Sequence, residues 1–167
     1  MTPDSPVVGS PITVLGVGNP IMGDDAVGLE LLRAVEAGCP DSRVEYVDGT
    51  TGGMELLPVV QDATRLLILD AVAGPTPGAV VRLDGDQVRR MLSTKLSPHQ
   101  VGLLDVFAAA RLLGREPAEV VVVGVTPESV EIRVGLTPSV AAAIGPAAAL
   151  AGNVLTSWLD SDSAAAE

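Results

Sequence analysis

Short runs of almost purely apolar residues place the tightest limit on the fold of this chain. Residues 12–17, 65–69 and 119–125 carry few charged side chains, and such runs are typical of strands buried on both faces of a parallel sheet. The segments between them include apolar residues at helical spacing, such as Val27, Leu31 and Val35. This alternation predicts a three-layer α/β sandwich in which helices flank a mainly parallel central sheet of about five strands.

Two further strands complete the predicted sheet. One is expected at residues 43–47, followed by Asp48, and the other at residues 79–83. The strand at 65–69 is expected to be central and to be closed by Asp70. Its connection to the 79–83 strand is too short for a crossover helix, which favours antiparallel pairing between those two strands.

The remaining helices are predicted from periodicity and from residues that begin or end helices. A short helix is expected within 52–61, a second from about His99 to Gly114, and a last helix from about Thr137 to Leu159. Thr137 and Pro138 fit the cap and the first position of that last helix. A length of 167 residues corresponds to one domain. We expect a core at 12–159 and flexible tails at 1–11 and 160–167.

Composition limits the partners and the compartment. The formal net charge is −11, which opposes binding to nucleic acid or to anionic membrane surfaces. Cys39 is the only cysteine, so an internal disulfide is impossible, and we expect Cys39 to fill space at the end of a helix. The first eleven residues lack the basic and apolar segments of a signal peptide. A cytoplasmic location is expected.

Acidic residues follow the predicted strands at the points where each strand ends. Asp24 and Asp25 follow the first strand's loop, Asp48 the second strand and Asp70 the third, while His99, the only histidine, opens a later helix. Ligands of open α/β sheets bind at this carboxyl edge. Two carboxylates and an imidazole make a plausible three-ligand site for a divalent metal such as zinc or nickel.

Each of these residues also has a purely structural interpretation. Asp24 and Asp25 are favourable charges at a helix N-terminus, Asp48 is a residue type that favours turns, and His99 fits a helix cap. Asp70 is harder to explain structurally, because a carboxylate at the end of an apolar central strand needs partners or a metal. Spacing alone does not choose between these interpretations.

Two other classes of site are disfavoured. The glycine-containing loop after the first strand has Ile21 where the third glycine of a dinucleotide-binding loop belongs, and its two adjacent aspartates would repel a pyrophosphate. Nucleophilic catalysis lacks a G-x-S-x-G motif, and Cys39 lies at a predicted helix end. The classes of function that remain are chemistry that uses a metal and binding without catalysis.

Several ordered blocks of sequence resemble the maturation proteases of nickel-iron hydrogenases. They are residues 16–28 (GVGNPIMGDDAVG), 48–57 (DGTTGGMELL), 69–72 (LDAV) and 97–103 (SPHQVGL), followed by 124–127 and 135–138. The resemblance extends from about residue 12 to about residue 159. Departures are few: Thr50 and Ala26 stand where many relatives have glycine, and the first ligand position holds Asp25, within the family's choice of Glu or Asp.

The resemblance implies an α/β fold and an endopeptidase that removes the C-terminal extension of the hydrogenase large-subunit precursor after nickel insertion. It places the metal contacts at Asp25, Asp70 and His99, with nickel supplied by the substrate. Another divalent metal is a possible occupant in the isolated protein.

The sequence does not decide which group activates the attacking water. Either the metal or a carboxylate can activate the attacking water; Asp25 and Asp70 are candidates for catalysis, and Asp48 is a weaker one that can equally orient its glycine-containing loop. A non-catalytic nickel chaperone or checkpoint protein with the same three ligands is the alternative function.

Overall fold

One mixed sheet organises the chain. A computed structural model describes residues 11–93 and 98–167, with side chains for all of these except 93 and 98–101. In this part of the chain the strands are β1 (Ile12–Val17), β2 (Val44–Thr50), β3 (Arg65–Ala71), β4 (Val80–Asp84) and β5 (Glu119–Val125). They form a five-stranded sheet in the order β2-β1-β3-β5-β4, and every pairing is parallel except that of β4 with β5.

Helices cover both faces of this sheet. They are α1 (Val27–Gly38), α2 (Leu57–Asp62), α3 (Asp86–Ser93), α4 (Pro98–Leu112), α5 (Pro138–Ala141) and α6 (Ile144–Ala165). Helices α1 and α6 pack on one face, and α2, α3 and α4 pack on the other. The predicted three-layer α/β sandwich with a mainly parallel sheet is confirmed.

Strand β3 shows why the apolar runs lie in the centre. Leu67 and Leu69 face α1 and α6, whereas Leu66 and Ile68 face the other helical layer. All four side chains are fully buried, as expected when helices cover both faces of a parallel sheet. The prediction of β3 as a central strand is confirmed.

Strand β4 pairs with β5 and not with β3, so the predicted antiparallel pairing of β3 and β4 is wrong. Strand β5 has an apolar centre buried on both faces and occupies the place beside β3. Strand β4 carries the charged residues Arg82 and Asp84, which suit the edge of a sheet. The connection between β3 and β4 passes across the end of β5, where the Gly78 amide donates to the Thr126 carbonyl at 2.8 Å.

Two strands are longer than predicted, and one helix was not predicted. Strand β2 continues through Asp48 to Thr50, and β3 continues through Asp70 to Ala71. Helix α3 went unrecognised because its sequence is largely polar. Its buried residues are Val88, Met91 and Leu92, which follow the i, i+3, i+4 spacing of a helix that buries a single narrow stripe.

The C-terminal helical region differs from the prediction in two respects. It is divided into α5 and α6, and α6 continues to Ala165. Residues 160–165 of the predicted tail are therefore part of this helix. The Arg65 guanidinium anchors this end of α6, since its Nη1 donates to the Trp158 carbonyl and to Asp162 Oδ1, both at 2.9 Å. Residues 1–10 of the other predicted tail lie outside the described part.

The segment Pro138–Ala165 is long and apolar enough to cross a membrane by length and composition alone. In the fold, its apolar side chains pack against the sheet and α1. The buried ones include Ala147, Ala151, Val154, Leu155 and Trp158. These side chains form part of the core on the face of the sheet that α1 covers.

Candidate functional site

The loop after β1 turns over the carboxyl edge of the sheet in a space that only glycine fits. Gly18 has a φ of +150°, and a Cβ atom there would lie 2.1 Å from the main-chain oxygen of Asp25. Its amide donates to the carbonyl of Thr50, at the end of β2, at 2.8 Å. The loop is therefore fixed both to the neighbouring strand and to the turn that carries Asp25.

Asp25 lies in a 3-10 turn (Gly23–Ala26) that leads into α1, and it is only 3% exposed. Its Oδ2 accepts a hydrogen bond from the Asn19 amide at 3.0 Å. The Asp25 amide donates to the carbonyl of Met22 at 3.1 Å. The carboxylate is thus held at a fixed place within the loop.

Gly28 brings the start of α1 against the ends of β1 and β3. A Cβ atom at this position would lie 2.2 Å from the Val17 carbonyl oxygen and 2.3 Å from that of Leu69. Any side chain would push the helix away from the sheet. Because Asp25 precedes Gly28 by one turn, this contact places Asp25 above the adjoining ends of β1 and β3.

Asp70 is the penultimate residue of β3 and is fully buried. Its Oδ1 accepts a hydrogen bond from the Ala71 amide at 2.7 Å. Side chains alternate along a strand. Since Leu69 faces α1 and α6, the side chain of Asp70 belongs to the face covered by α2, α3 and α4.

The main chain of His99 lies in the first turn of α4, on the same face as the Asp70 side chain. One turn further, a Cβ atom on Gly102 would lie 3.5 Å from the Cα of Gly53 in the loop after β2. Helix α4 therefore begins at the carboxyl edge. The His99 side chain lies outside the described part, so its participation stays a prediction.

Two carboxylates together with an imidazole would suit a borderline divalent metal, because oxygen and nitrogen donors of this kind bind zinc and nickel. Among the side chains that the structure describes, no group of three or more His, Cys, Asp or Glu residues is placed to hold a metal. That set does not include His99. The three-ligand site stays a prediction, supported by the positions of Asp25 and Asp70.

Asp48 lies in β2, on the other face of the sheet from Asp70. Asp48 pairs with Gly16 of β1. A Cβ atom on Gly16 would lie 2.8 Å from the Cβ of Leu32 in α1, so this pair is on the face that α1 covers. Asp48 therefore points to the face opposite that of Asp70. Its Oδ1 accepts hydrogen bonds from the amide and the hydroxyl of Thr50 at 3.0 and 2.7 Å.

Those two bonds hold Thr50 at a φ of +44°, which non-glycine residues rarely adopt. Asp48 therefore orients the turn at the end of β2, and its role as a general base stays a prediction.

Asp24 has a structural role that the sequence did not reveal. Its fully buried carboxylate accepts hydrogen bonds from the amides of Glu128, Ser129 and Thr137 at 2.9, 3.1 and 2.7 Å, and from the Thr137 hydroxyl at 2.7 Å. Burial raises the pKa of Asp24, but the hydrogen bonds from Thr137, Ser129 and Glu128 more than offset it, so the pKa lies below its ordinary value.

Asp24 thereby fastens the segment after β5 to the loop after β1. Thr137 occupies the predicted cap position before Pro138, but its hydroxyl donates to Asp24 and makes no capping hydrogen bond to its own helix. The sequence signs of this role were the adjacent aspartates at 24 and 25 and a threonine, Thr137, that lies 113 residues further along the chain. No local sequence pattern links Asp24 with Thr137.

Cys39 follows the last residue of α1, and its amide donates to the Val35 carbonyl at 2.9 Å. It is half-buried against the core, so the prediction of a residue that fills space at a helix end is confirmed. The hydroxyl of Tyr46 donates to the Cys39 carbonyl. Helix α1 runs away from the carboxyl edge, which leaves Cys39 far from Asp25.

A cavity of about 700 Å³ opens between α3, α4 and the start of β5. Its lining includes Arg89, Leu92, Leu104, Phe107 and Arg111. The start of β5 lies at the amino edge of the sheet, so this cavity is separate from the carboxyl edge that carries Asp25 and Asp70.

Comparison with known proteins agrees with the resemblance seen in the sequence. Residues 14–153 match the family model of hydrogenase maturation proteases. The hydrogenase 2 maturation protease of Escherichia coli (strain K12) is 44% identical over 140 residues, which cover 81% of this chain and 85% of that protein. The hydrogenase expression/formation protein HupD of Bradyrhizobium diazoefficiens is 39% identical over 155 residues, covering 88% of this chain and 79% of that protein.

A solved structure shows the same fold. The hydrogenase maturating endopeptidase HybD from E. coli superposes with a TM-score of 0.80 at 40% identity, covering 90% of this chain and 93% of that chain. The family match spans β1 to α6 and includes Asp25 and Asp70 at the edge of the sheet. On its sequence and its fold together, the chain belongs to the hydrogenase maturation protease family.

Proposed function

We propose that this endopeptidase removes the C-terminal extension of a nickel-iron hydrogenase large-subunit precursor, and that it recognises the nickel already bound to that precursor. The observation that carries this proposal is the pair of buried aspartates at the carboxyl edge of the sheet, Asp25 in the turn before α1 and Asp70 near the end of β3, in a member of the maturation protease family. His99, at the start of α4, is the proposed third ligand.

Both aspartates are buried, and each accepts a hydrogen bond from a main-chain amide, a setting that still allows a carboxylate to bind a metal. Ionised carboxylates are costly to bury unless hydrogen bonds or a cation compensate for the lost solvent. A nickel ion carried in by the substrate would supply a cation only when the precursor is loaded. The metal is then part of the substrate, and its presence selects precursors that are ready for cleavage.

The fixed positions of the aspartates support a role in orienting the substrate. The Asn19 amide holds one oxygen of Asp25, and the Ala71 amide holds one oxygen of Asp70. Both donors are main-chain amides, one in the loop after β1 and one in β3, so the carboxylates are placed before the substrate arrives. Nickel offers a means of polarising the scissile carbonyl or the attacking water. We assign Asp25 and Asp70 as the carboxylates that act in that chemistry.

We place this reaction in the cytoplasm, where the single half-buried thiol of Cys39 would remain reduced. We propose no resident cofactor for the working enzyme, because the substrate supplies the nickel. In the isolated protein, another divalent ion with similar ligand preferences would occupy the same three residues.

Incubation with nickel-loaded precursor tests this function directly. We expect a shortened large subunit and a released C-terminal peptide, both identified by mass spectrometry. A stable complex with the loaded precursor and no shortened product would instead identify a nickel chaperone or checkpoint protein.

The ligand assignment is tested by His99→Ala and Asp70→Asn. Each should abolish processing while the circular dichroism spectrum remains that of a folded protein, because these substitutions remove a metal donor. Asp160→Asn, an exposed position near the end of α6, is the matched control and should process at the normal rate. Normal processing by His99→Ala would remove His99 from the proposed site.

A further inference from the structure

Exposed apolar side chains gather on the loops at the carboxyl edge of the sheet. Among the described residues, these loops carry Ile21, Met54, Ile132 and Val134, whose exposed fractions are 55%, 52%, 83% and 83%. Apolar exposure of this kind, on the edge that carries the site, marks a surface that contacts another molecule. Three of these residues, Ile21, Ile132 and Val134, lie on two segments joined by hydrogen bonds.

The two segments form a short parallel bridge. Arg133 pairs with Met22; the Arg133 amide donates to the Ile21 carbonyl at 3.0 Å, and the Gly23 amide donates to the Arg133 carbonyl at 2.8 Å. Arg133 therefore uses both of its main-chain groups on the loop that leads to Asp25. Residues 132–134 therefore form a short strand-like edge beside the proposed metal site.

The residues on either side of Arg133 leave their main-chain groups available. Within the described ranges 11–93 and 98–167, the amide and carbonyl groups of Ile132 and Val134 make no hydrogen bond. Exposed amide and carbonyl groups next to a paired residue are what an extended peptide needs in order to add a strand. The exposed side chains of Ile132 and Val134 would offer apolar contacts to the same peptide.

The edge is also held in place before any ligand binds. The edge lies within residues 128–137, and Asp24 accepts hydrogen bonds from both ends of that segment. The donors are Glu128 and Ser129 at one end and Thr137 at the other. Its neighbour Asp25 belongs to the proposed metal site. A peptide bound along residues 132–134 would therefore lie at a fixed position relative to that site, which favours productive placement of the scissile bond.

We propose that the edge formed by residues 132–134, with Ile21 beside it, binds the extended segment of the precursor that carries the scissile bond. This inference rests on the proposed function, because the occupant is the peptide substrate. A second copy of the chain is a poorer occupant: an edge of three residues buries far less than the roughly 1,000 Å² expected of a stable interface. A transient peptide substrate fits an edge of that length.

The double variant I132S/V134S tests the apolar part of this edge. We expect KM for nickel-loaded precursor to rise about tenfold, with kcat within about twofold of normal, because the variant weakens docking and leaves the proposed ligands intact. Leu112→Ser is the matched control, since Leu112 is 88% exposed and lies at the far end of α4. It should leave both constants unchanged. Thermal unfolding should show that both variants fold.

Hydrogen exchange tests the main-chain part. We expect the amides of Ile132 and Val134 to become protected when nickel-loaded precursor is added in excess, measured within the first turnover. Cleavage without protection, together with normal kinetics of I132S/V134S, would overturn the docking edge and leave the protease function intact. Protection without cleavage would support the docking edge and contradict the protease function.

Two further outcomes would overturn the inference. Protection that appears without precursor, as the protein concentration is raised, would show that a second copy occupies the edge. Absence of both cleavage and protection would remove the proposed function and the docking edge together.

Discussion

Asp24 and Asp25 are chemically identical neighbours with different surroundings. Asp24 accepts four hydrogen bonds from the segment after β5, and Asp25 lies in the loop above β1 and β3. The sequence identified both as residues at the functional edge. It could not separate their roles, because the partners of Asp24 lie more than a hundred residues away and no local pattern joins them.

Removal of the Asp24 carboxylate should destabilise the protein. Asp24→Ala would leave three buried or half-buried amides and a hydroxyl without their acceptor, and we expect a loss of about 3 kcal/mol in the free energy of unfolding. Urea denaturation measures this loss. Glu131→Ala, an exposed change in the same segment, should stay within about 0.5 kcal/mol of the parent. Equal stabilities for the two variants would show that Asp24 does not hold this segment.

Cys39 should be dispensable for cleavage. The thiol lies at the end of α1, away from the carboxyl edge, so Cys39→Ala should process nickel-loaded precursor at near the normal rate. Product formation over time is the measurement. A folded Cys39→Ala variant without activity would point to thiol chemistry and away from the carboxylate site.

The elements of this fold were predictable where their sequence pattern was simple. Strand β5 and strand β1 have the predicted bounds, because an apolar run buried on both faces is unambiguous. Helix α3 was missed because, of its side chains at 86–92, only three are buried. The position of β4 was missed because pairing depends on which strand already occupies the place beside β3, which is a property of the assembled sheet.

The close contact of α1 with the sheet gives a prediction at the level of elements. Gly28→Ala would place a methyl group about 2 Å from two strand carbonyls, and we expect a loss of about 2 kcal/mol or more in the free energy of unfolding. Gly38→Ala, in the same helix with open space around it, should be neutral or stabilising by up to about 1 kcal/mol. Thermal or urea denaturation compares the two. A Gly28→Ala variant as stable as Gly38→Ala would mean that α1 does not pack closely against the ends of β1 and β3.

At the scale of the whole molecule, the site is a product of topology. The loop after β1, the end of β3 and the start of α4 lie at one edge, because parallel strands end together and α4 begins there. The sequence predicted this convergence from strand ends alone. It did not predict the bridge between residues 22 and 133, which arises only when the segment after β5 folds back over the first loop.

The measurement that tests the account most directly compares nickel-loaded with nickel-free precursor. Asp25, Asp70 and His99 are proposed to bind the metal of the substrate, so cleavage should require that metal. We expect the loaded precursor to be shortened and the nickel-free precursor to remain intact, even with excess enzyme and with chelator present. Efficient cleavage of nickel-free precursor in chelator would contradict the account.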